Sequence, residues 1–314
     1  MRNLTNRRNF LKQSLRGSLL LAGLGLSGLN PAGAIEPFNR RGPARLLPGL
    51  AAYSFRDYFV DVSHARDKNI DSARRITLFD FIDFCAEQGV GAELTSYYFP
   101  PDVTQEFLIQ VKRHAFLRGV PISGTAVGNT FTLPKGKMRD EQIAYVKKWI
   151  DYAQTLGTSH IRVFAGEAGK LDRAETFALC REAMEECCGY AGTKGIFLGL
   201  ENHGGIVAEA DAILDLVKSI KSPWFGVNLD TGNFITDDPY GDLARCAPYA
   251  VNVQLKTEIQ KHGKEKQPAD LARLIQILRD AKYQGYVTLE YEAAEDPWQA
   301  VPDALKRLRA LLAI

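Results

Sequence analysis

The chain has 314 residues, 46% of them hydrophobic and 24% charged, an ordinary globular composition with room for one large domain or two modest ones. Its formal net charge is +2, but five of its 39 basic residues (Arg2, Arg7, Arg8, Lys12 and Arg16) fall in the first 34 positions, which hold no acid. That leaves 34 basic residues against 37 acidic ones, a mildly acidic body that argues against general nucleic-acid binding.

The N-terminus reads as a targeting signal. Asn6 to Lys12 spell NRRNFLK, an apolar stretch follows from Ser18 to Leu29, and Ala32-Gly33-Ala34 has the small-x-small form of a cleavage site. The basic motif resembles a bacterial twin-arginine export signal, with Asn6 where Ser or Thr is more usual. The apolar stretch, 12 residues broken by three glycines, is too short to span a bilayer. Residues 1–34 are therefore expected to be a signal peptide, and the protein to be periplasmic or secreted without stable membrane insertion. No cysteine lies near the cleavage site to carry a lipid. The five cysteines, Cys85, Cys180, Cys187, Cys188 and Cys246, show no CxxC spacing and so no disulfide framework or zinc knuckle.

Residues 35–48 read as a linker. From there, short β-like runs alternate with amphipathic helices. Strands are predicted at 50–55, 90–96, 121–127, 159–165, 196–201, 225–230, 250–256 and 285–291. The helical segments between and after them often stop at a glycine, as in TLFDFIDFCAEQG and DEQIAYVKKWIDYAQTLG. Eight strands alternating with eight helices over residues 49–314 predict an α/β fold, a (β/α)8 TIM barrel. A doubly wound open sheet is the alternative, but no GxGxxG follows the first strand.

Period-two alternation then sorts the strand residues. On the last four strands Leu198, Leu200, Val227, Leu229, Val251, Val253, Leu255, Val287, Leu289 and Tyr291 face the helices. Glu201, His203, Asn228, Asp230, Asn252, Gln254, Lys256, Thr288, Glu290 and Glu292 then face inward, towards the C-terminal ends where such barrels carry their active sites. Three carboxylates converging there would repel, and one or two would have to take up protons unless a cation joined them. Oxygen-rich ligands suit Mn²⁺ or Mg²⁺ better than a structural zinc. Arg56, Glu93 and Arg162 are polar groups at the ends of earlier strands. His64, His114, His160 and His262 show no metal-ligand spacing.

The stretches GLENHGG, GVNLDTGNF, VNVQLKTE and YVTLEYE resemble the metal-site strands of the xylose-isomerase-like TIM-barrel superfamily of sugar isomerases and epimerases. The resemblance covers about residues 49 to 314. It implies that Glu201, Asp230 and Glu290 take three carboxylate places around one divalent metal. The fourth place, a histidine in the family, falls on Gln254, and a second family histidine is replaced by Asn233. Mn²⁺ or Mg²⁺ is the expected ion, with Zn²⁺ and Co²⁺ as alternatives. The implied substrate is a small-molecule sugar or sugar derivative, and a homo-oligomer is compatible with the family.

Isomerising or epimerising a sugar means removing a proton next to a carbonyl. Positive charge must then stabilise the enediolate oxygen. The resemblance makes Glu201 and Glu290 the acid/base pair and places His203, Lys256, Asn233, Glu93, Arg56 and Arg162 at the sugar. Lys256 could hold a substrate oxygen or simply pair with Glu258 or Glu292. A lyase or hydratase could use the same enediolate, and the loss of two histidines also admits a catalytically silent sugar-binding protein. Endonuclease IV, a DNA-cutting relative in the superfamily, needs more histidines than the five present and a basic groove.

Overall fold

The computed structural model describes residues 35–60 and 72–313. The expected signal peptide, residues 1–34, lies outside the described residues. Eight parallel strands close into a barrel: β1 (Arg45–Ala51), β2 (Gly91–Thr95), β3 (Ile122–Ala126), β4 (His160–Val163), β5 (Phe197–Glu201), β6 (Phe225–Asp230), β7 (Ala250–Leu255) and β8 (Gln284–Leu289). Each pairs with its neighbours in sequence, and β8 closes on β1 from Arg45↔Gln284 to Leu50↔Leu289. The expected (β/α)8 barrel is thus the observed fold. Eight α-helices alternate with the strands among the described residues: α1 (Leu78–Gln88), α2 (Gln105–Leu117), α3 (Lys137–Leu156), α4 (Arg173–Lys194), α5 (Ala210–Ser219), α6 (Pro239–Cys246), α7 (Leu271–Asp280) and α8 (Pro297–Leu312). A two-stranded ribbon, Glu258–Ile259 with Gln267–Pro268, decorates the loop after β7.

The helix ends follow from local chemistry. Thr77 caps α1 and closes a reciprocal capping box with Asp80. Asp172 and Asp270 accept from the third residue of α4 and α7. Gly89, Gly157 and Gly195 end α1, α3 and α4 in the left-handed region that glycine adopts at no steric cost. The outward faces of the strands form the core against the helices: Leu198, Leu200, Val227, Leu229, Val253, Leu255, Val287 and Leu289 are all fully buried. Cys85, Cys180, Cys187, Cys188 and Cys246 are buried free thiols. Burial pushes the thiols up, Cys180, Cys187 and Cys246 to about 12, so they pack as small apolar residues.

The first strand differs from the sequence reading. It begins at Arg45 and ends at Ala51, and Ala52–Phe55 form a 3₁₀ turn. The stretch 35–48 reads as a linker in the sequence, but its last residues belong to β1; β1 pairs β2 only over Gly49–Ala51, so Pro48 lies where β1 has β8 alone beside it. A missing N–H costs little on such an edge. The residues before β1 are not a free linker either. Phe38 N donates to Pro248 O at 3.1 Å, Arg40 donates to Ala250 O, and Gln284 Nε2 donates to Arg41 O at 2.8 Å. Phe38 packs edge-on against Phe197, and Arg40 stacks over both Phe38 and Tyr283. These partners all sit at strand starts, so the segment straps the N-terminal mouth of the barrel. No helix among the described residues is long and apolar enough to cross a membrane.

Candidate active site

At the opposite mouth the strands end in a cavity of about 440 Å³, within the range of roughly 300–1,000 Å³ common for small-molecule sites. Arg56, Arg162, Glu201, His203, Asn233, Lys256 and Glu290 all line it, as does Glu292. Tyr53, Tyr97, Tyr98 and Phe164 add an aromatic wall that the sequence reading did not single out. Each of those rings lies within a few residues of a strand's C-terminal end, just beyond the strand rather than on it. Tyr97 and Tyr98 occupy a 3₁₀ turn directly after β2.

The stretch Glu201-Asn202-His203 at the end of β5 divides its work. Asn202 locks the end of β6: its Nδ2 donates to Asp230 O and its Oδ1 accepts from Asp230 N, both at 2.9 Å. Glu201 is almost fully buried, and both its oxygens are held. Oε1 accepts from Asn233 Nδ2 at 3.0 Å, and Oε2 stands 3.1 Å from Arg162 Nε. Arg162 lies over Phe164, its guanidinium carbon 4.0 Å from the ring centre, and His203 packs on the same ring.

Lys256 enters from the end of β7. Its backbone N–H donates to Thr231 Oγ1 at 2.9 Å, which fixes the root of the side chain. Its Nζ hydrogen-bonds Glu292 and lies 3.3 Å from Asp230 Oδ2 and 4.0 Å from Glu290 Oε1. Asp230 Oδ1 accepts from Gly232 N at 2.8 Å.

Electrostatics follow from this packing. Burial raises the Glu290 carboxyl well above its usual range, with Lys256 opposing. It also raises Glu201, which the Arg162 and Lys256 charges pull back. Asp230 is raised to about 6, again by burial against Lys256. Burial disfavours the Lys256 ammonium, but Asp230, Glu290 and Glu292 outweigh it and hold the group charged. Arg162 is treated likewise: burial is overcome by Glu201 and by further acidic neighbours.

Glu93 and Gln254 do not reach the cavity. With Asn228 and Asn252 they form a closed ring across the lumen, one layer below it. Asn252 Nδ2 donates to Glu93 Oε2 at 2.7 Å and to Asn228 Oδ1 at 2.8 Å. Asn228 Nδ2 donates to Gln254 Oε1 at 2.6 Å, and Gln254 Nε2 donates to Glu93 Oε1 at 2.7 Å. Burial lifts the Glu93 pKa to about 7, while the donated bonds of Gln254 and Asn252 and the charge of Arg162 restrain it. The sequence shows these side chains facing inward, but not that β2 meets β6 and β7 across the lumen.

This arrangement does not fit a divalent ion at the four expected positions. Both ends of the Gln254 amide are committed to the ring, Glu201 accepts from Asn233 and pairs with the Arg162 charge, and Asp230 Oδ2, which accepts no hydrogen bond, faces the Lys256 ammonium at 3.3 Å. Among the described residues no group of three or more His, Cys, Asp or Glu side chains is placed to hold a metal ion.

Residues 79–311, more than half of the chain, match the family described as xylose isomerase-like TIM barrel. No curated protein matches the chain in sequence. Among solved structures it resembles a D-psicose 3-epimerase determined in the presence of D-fructose, at 17% identity and a TM-score of 0.66 over 85% of this chain and 97% of that one. It also resembles the 3-keto-D-glucoside 4-epimerase of E. coli, at 16% identity and a TM-score of 0.63 over 85% and 99%. A third is a xylose isomerase-like TIM-barrel protein of Mycobacterium smegmatis in complex with magnesium, at 15% identity and a TM-score of 0.66 over 86% and 96%. At these identities the structural likeness is one of fold, and with the match over residues 79–311 it closes the assignment: the chain belongs to the xylose isomerase-like TIM-barrel family.

Proposed function

We propose that the protein is a sugar isomerase or epimerase that moves a proton on the carbon next to a carbonyl, with Glu201 and Glu290 as its acid/base pair. One observation carries this reading: two carboxyls face one cavity in unequal surroundings. Burial raises Glu201, but Arg162 beside one oxygen and Asn233 on the other offset part of that rise. Burial draws Glu290, whose charged neighbour Lys256 stands 4.0 Å away, more strongly to its proton-carrying form. Environments that separate two carboxyls in this way set one up to accept a proton and the other to give one.

The cavity supports a sugar-sized ligand. Its aromatic wall offers flat faces to C–H groups, while Arg56, Asn233 and His203 offer hydrogen bonds to hydroxyls. The two sugar epimerases of like fold point the same way.

Glu290→Gln tests the assignment, because it keeps the size and removes the titrating group. General acid–base catalysis is worth roughly 10²–10⁴ in rate. Turnover across a sugar panel should fall by that much while binding persists. Solvent deuterium should enter the carbon next to the carbonyl with the native protein and not with the variant. Exchange at the native rate in the variant would move the role elsewhere. Binding of sugars without turnover by the native protein would favour the silent binder.

A further inference from the structure

The family resemblance puts a divalent ion where this chain has arranged something else. Gln254 stands in place of a histidine ligand, and its amide is locked in the lumen ring between Asn228 and Glu93. Glu201 accepts from Asn233 on one oxygen and has the buried Arg162 guanidinium 3.1 Å from the other, a positive charge where an ion would sit. The Nζ of Lys256 lies against Asp230, Glu290 and Glu292, among the carboxylates an ion would need. An ion bound to Asp230 Oδ2 would have to sit beside that ammonium and repel it.

We propose that Lys256 is the cation of this site, its ammonium standing where relatives would place a metal, so that the protein works without one. The inference rests on the proton-transfer reading above. An ammonium has three N–H donors. Glu292 accepts one, while Asp230 Oδ2 at 3.3 Å and Glu290 Oε1 at 4.0 Å are ion-pair partners that take no hydrogen bond from it. An N–H is thus left for a ligand oxygen in the cavity, which Lys256 lines.

The step balances without a co-reactant. A carboxylate takes the proton from the carbon next to the carbonyl. The C–H electron pair becomes the C=C bond, and the carbonyl π pair moves onto oxygen, facing Lys256 Nζ. Return of a proton to carbon restores the carbonyl, so nothing is oxidised or consumed. A preorganised charge at the developing oxyanion is the service that a Lewis acid would otherwise perform.

The test uses the native protein first. After dialysis against a chelator it should show no calorimetric heat on titration with MnCl₂ or MgCl₂ at millimolar concentration. Plasma mass spectrometry of untreated protein should find no stoichiometric metal. The variant carrying both Gln254→His and Lys256→Ala should gain Mn²⁺ binding, because it supplies imidazole and removes the competing charge. One Mn²⁺ or Mg²⁺ bound per native chain would overturn the proposal, whatever the variants do. Deuterium exchange into the active sugar should survive the chelator and be lost by at least 100-fold in Lys256→Met; an exchange that needs added metal would also overturn it. Failure of every sugar to exchange would instead sink the proton-transfer reading, while the titration would still report on the cation.

Discussion

Exchanging Glu93 and Gln254 should reveal a parity rule in the lumen of the barrel. The polar ring has four contacts, and each needs one donor and one acceptor. Asn252 offers one nitrogen to two neighbours, while Asn228 and Gln254 each present oxygen to one side and nitrogen to the other. The ring closes only if position 93 presents oxygen on both sides, as a carboxylate does. Glu93→Gln puts an N–H where an oxygen is needed, and flipping any amide moves the clash to another contact without removing it. An unsatisfied buried donor costs about 1–3 kcal/mol. Gln254→Glu alone sets two carboxylate oxygens face to face, and one must take up a proton at similar cost. With both substitutions the carboxylate has moved to the other side of the shared contact and the ring closes again. The double variant avoids both costs and should therefore be more stable than the sum of the single effects by about 2–6 kcal/mol. Glu93→Gln also removes a buried charge, which offsets part of its own cost; the exchange keeps one charge, so the coupling isolates the ring. Urea unfolding followed by tryptophan fluorescence measures all four proteins, at a pH above the Glu93 pKa of about 7. Single effects that add to the double within about 0.5 kcal/mol would refute the ring.

Three further expectations can be checked alongside it. Asn202→Leu removes two buried bonds to the backbone of Asp230 and should destabilise the barrel by about 2–3 kcal/mol in the same assay, with little change at the other mouth. His160 is buried against Gly124, and burial lowers its pKa from 6.5 to about 4. A histidine lowered in this way contributes stability that is fully present above pH 6.5 and lost as pH falls through 4, about 3 kcal/mol in all. His160→Leu should flatten that acid limb; a curve as steep as the native one would show that other groups cause it. For export, replacing both Arg7 and Arg8 with Lys should leave uncleaved precursor in the cytoplasm, and intact mass of periplasmic protein should show cleavage after Ala34; undiminished export of the variant would remove the twin-arginine assignment.

Much of this site was legible because strands impose a strict alternation. Apolar Val227 and Leu229 forced Asp230 inward, and the same logic placed Glu201, Lys256 and Glu290 at one mouth. What alternation cannot supply is distance across the lumen. Glu93, read as a sugar contact, spends both oxygens on Asn252 and Gln254, residues more than 150 positions away in the chain. Lys256 had two plausible partners in the sequence; the structure brings it to Glu292 and also to Asp230 on the adjacent strand β6. The tyrosine wall escaped for a different reason. Tyr53 was read as part of a strand and Tyr97 and Tyr98 as following one, whereas 3₁₀ turns re-aim all three over the cavity.

The segment tied beneath the barrel gives the molecule two unlike poles. Phe38, Arg40 and Arg41 are anchored where strands begin, and the cavity opens where strands end. Anything joined to the chain near Ile35, such as an affinity tag, a resin or a glass surface, is therefore held at the far pole from the cavity mouth. Molecules immobilised through that point would stand mouth outward, all facing the same way.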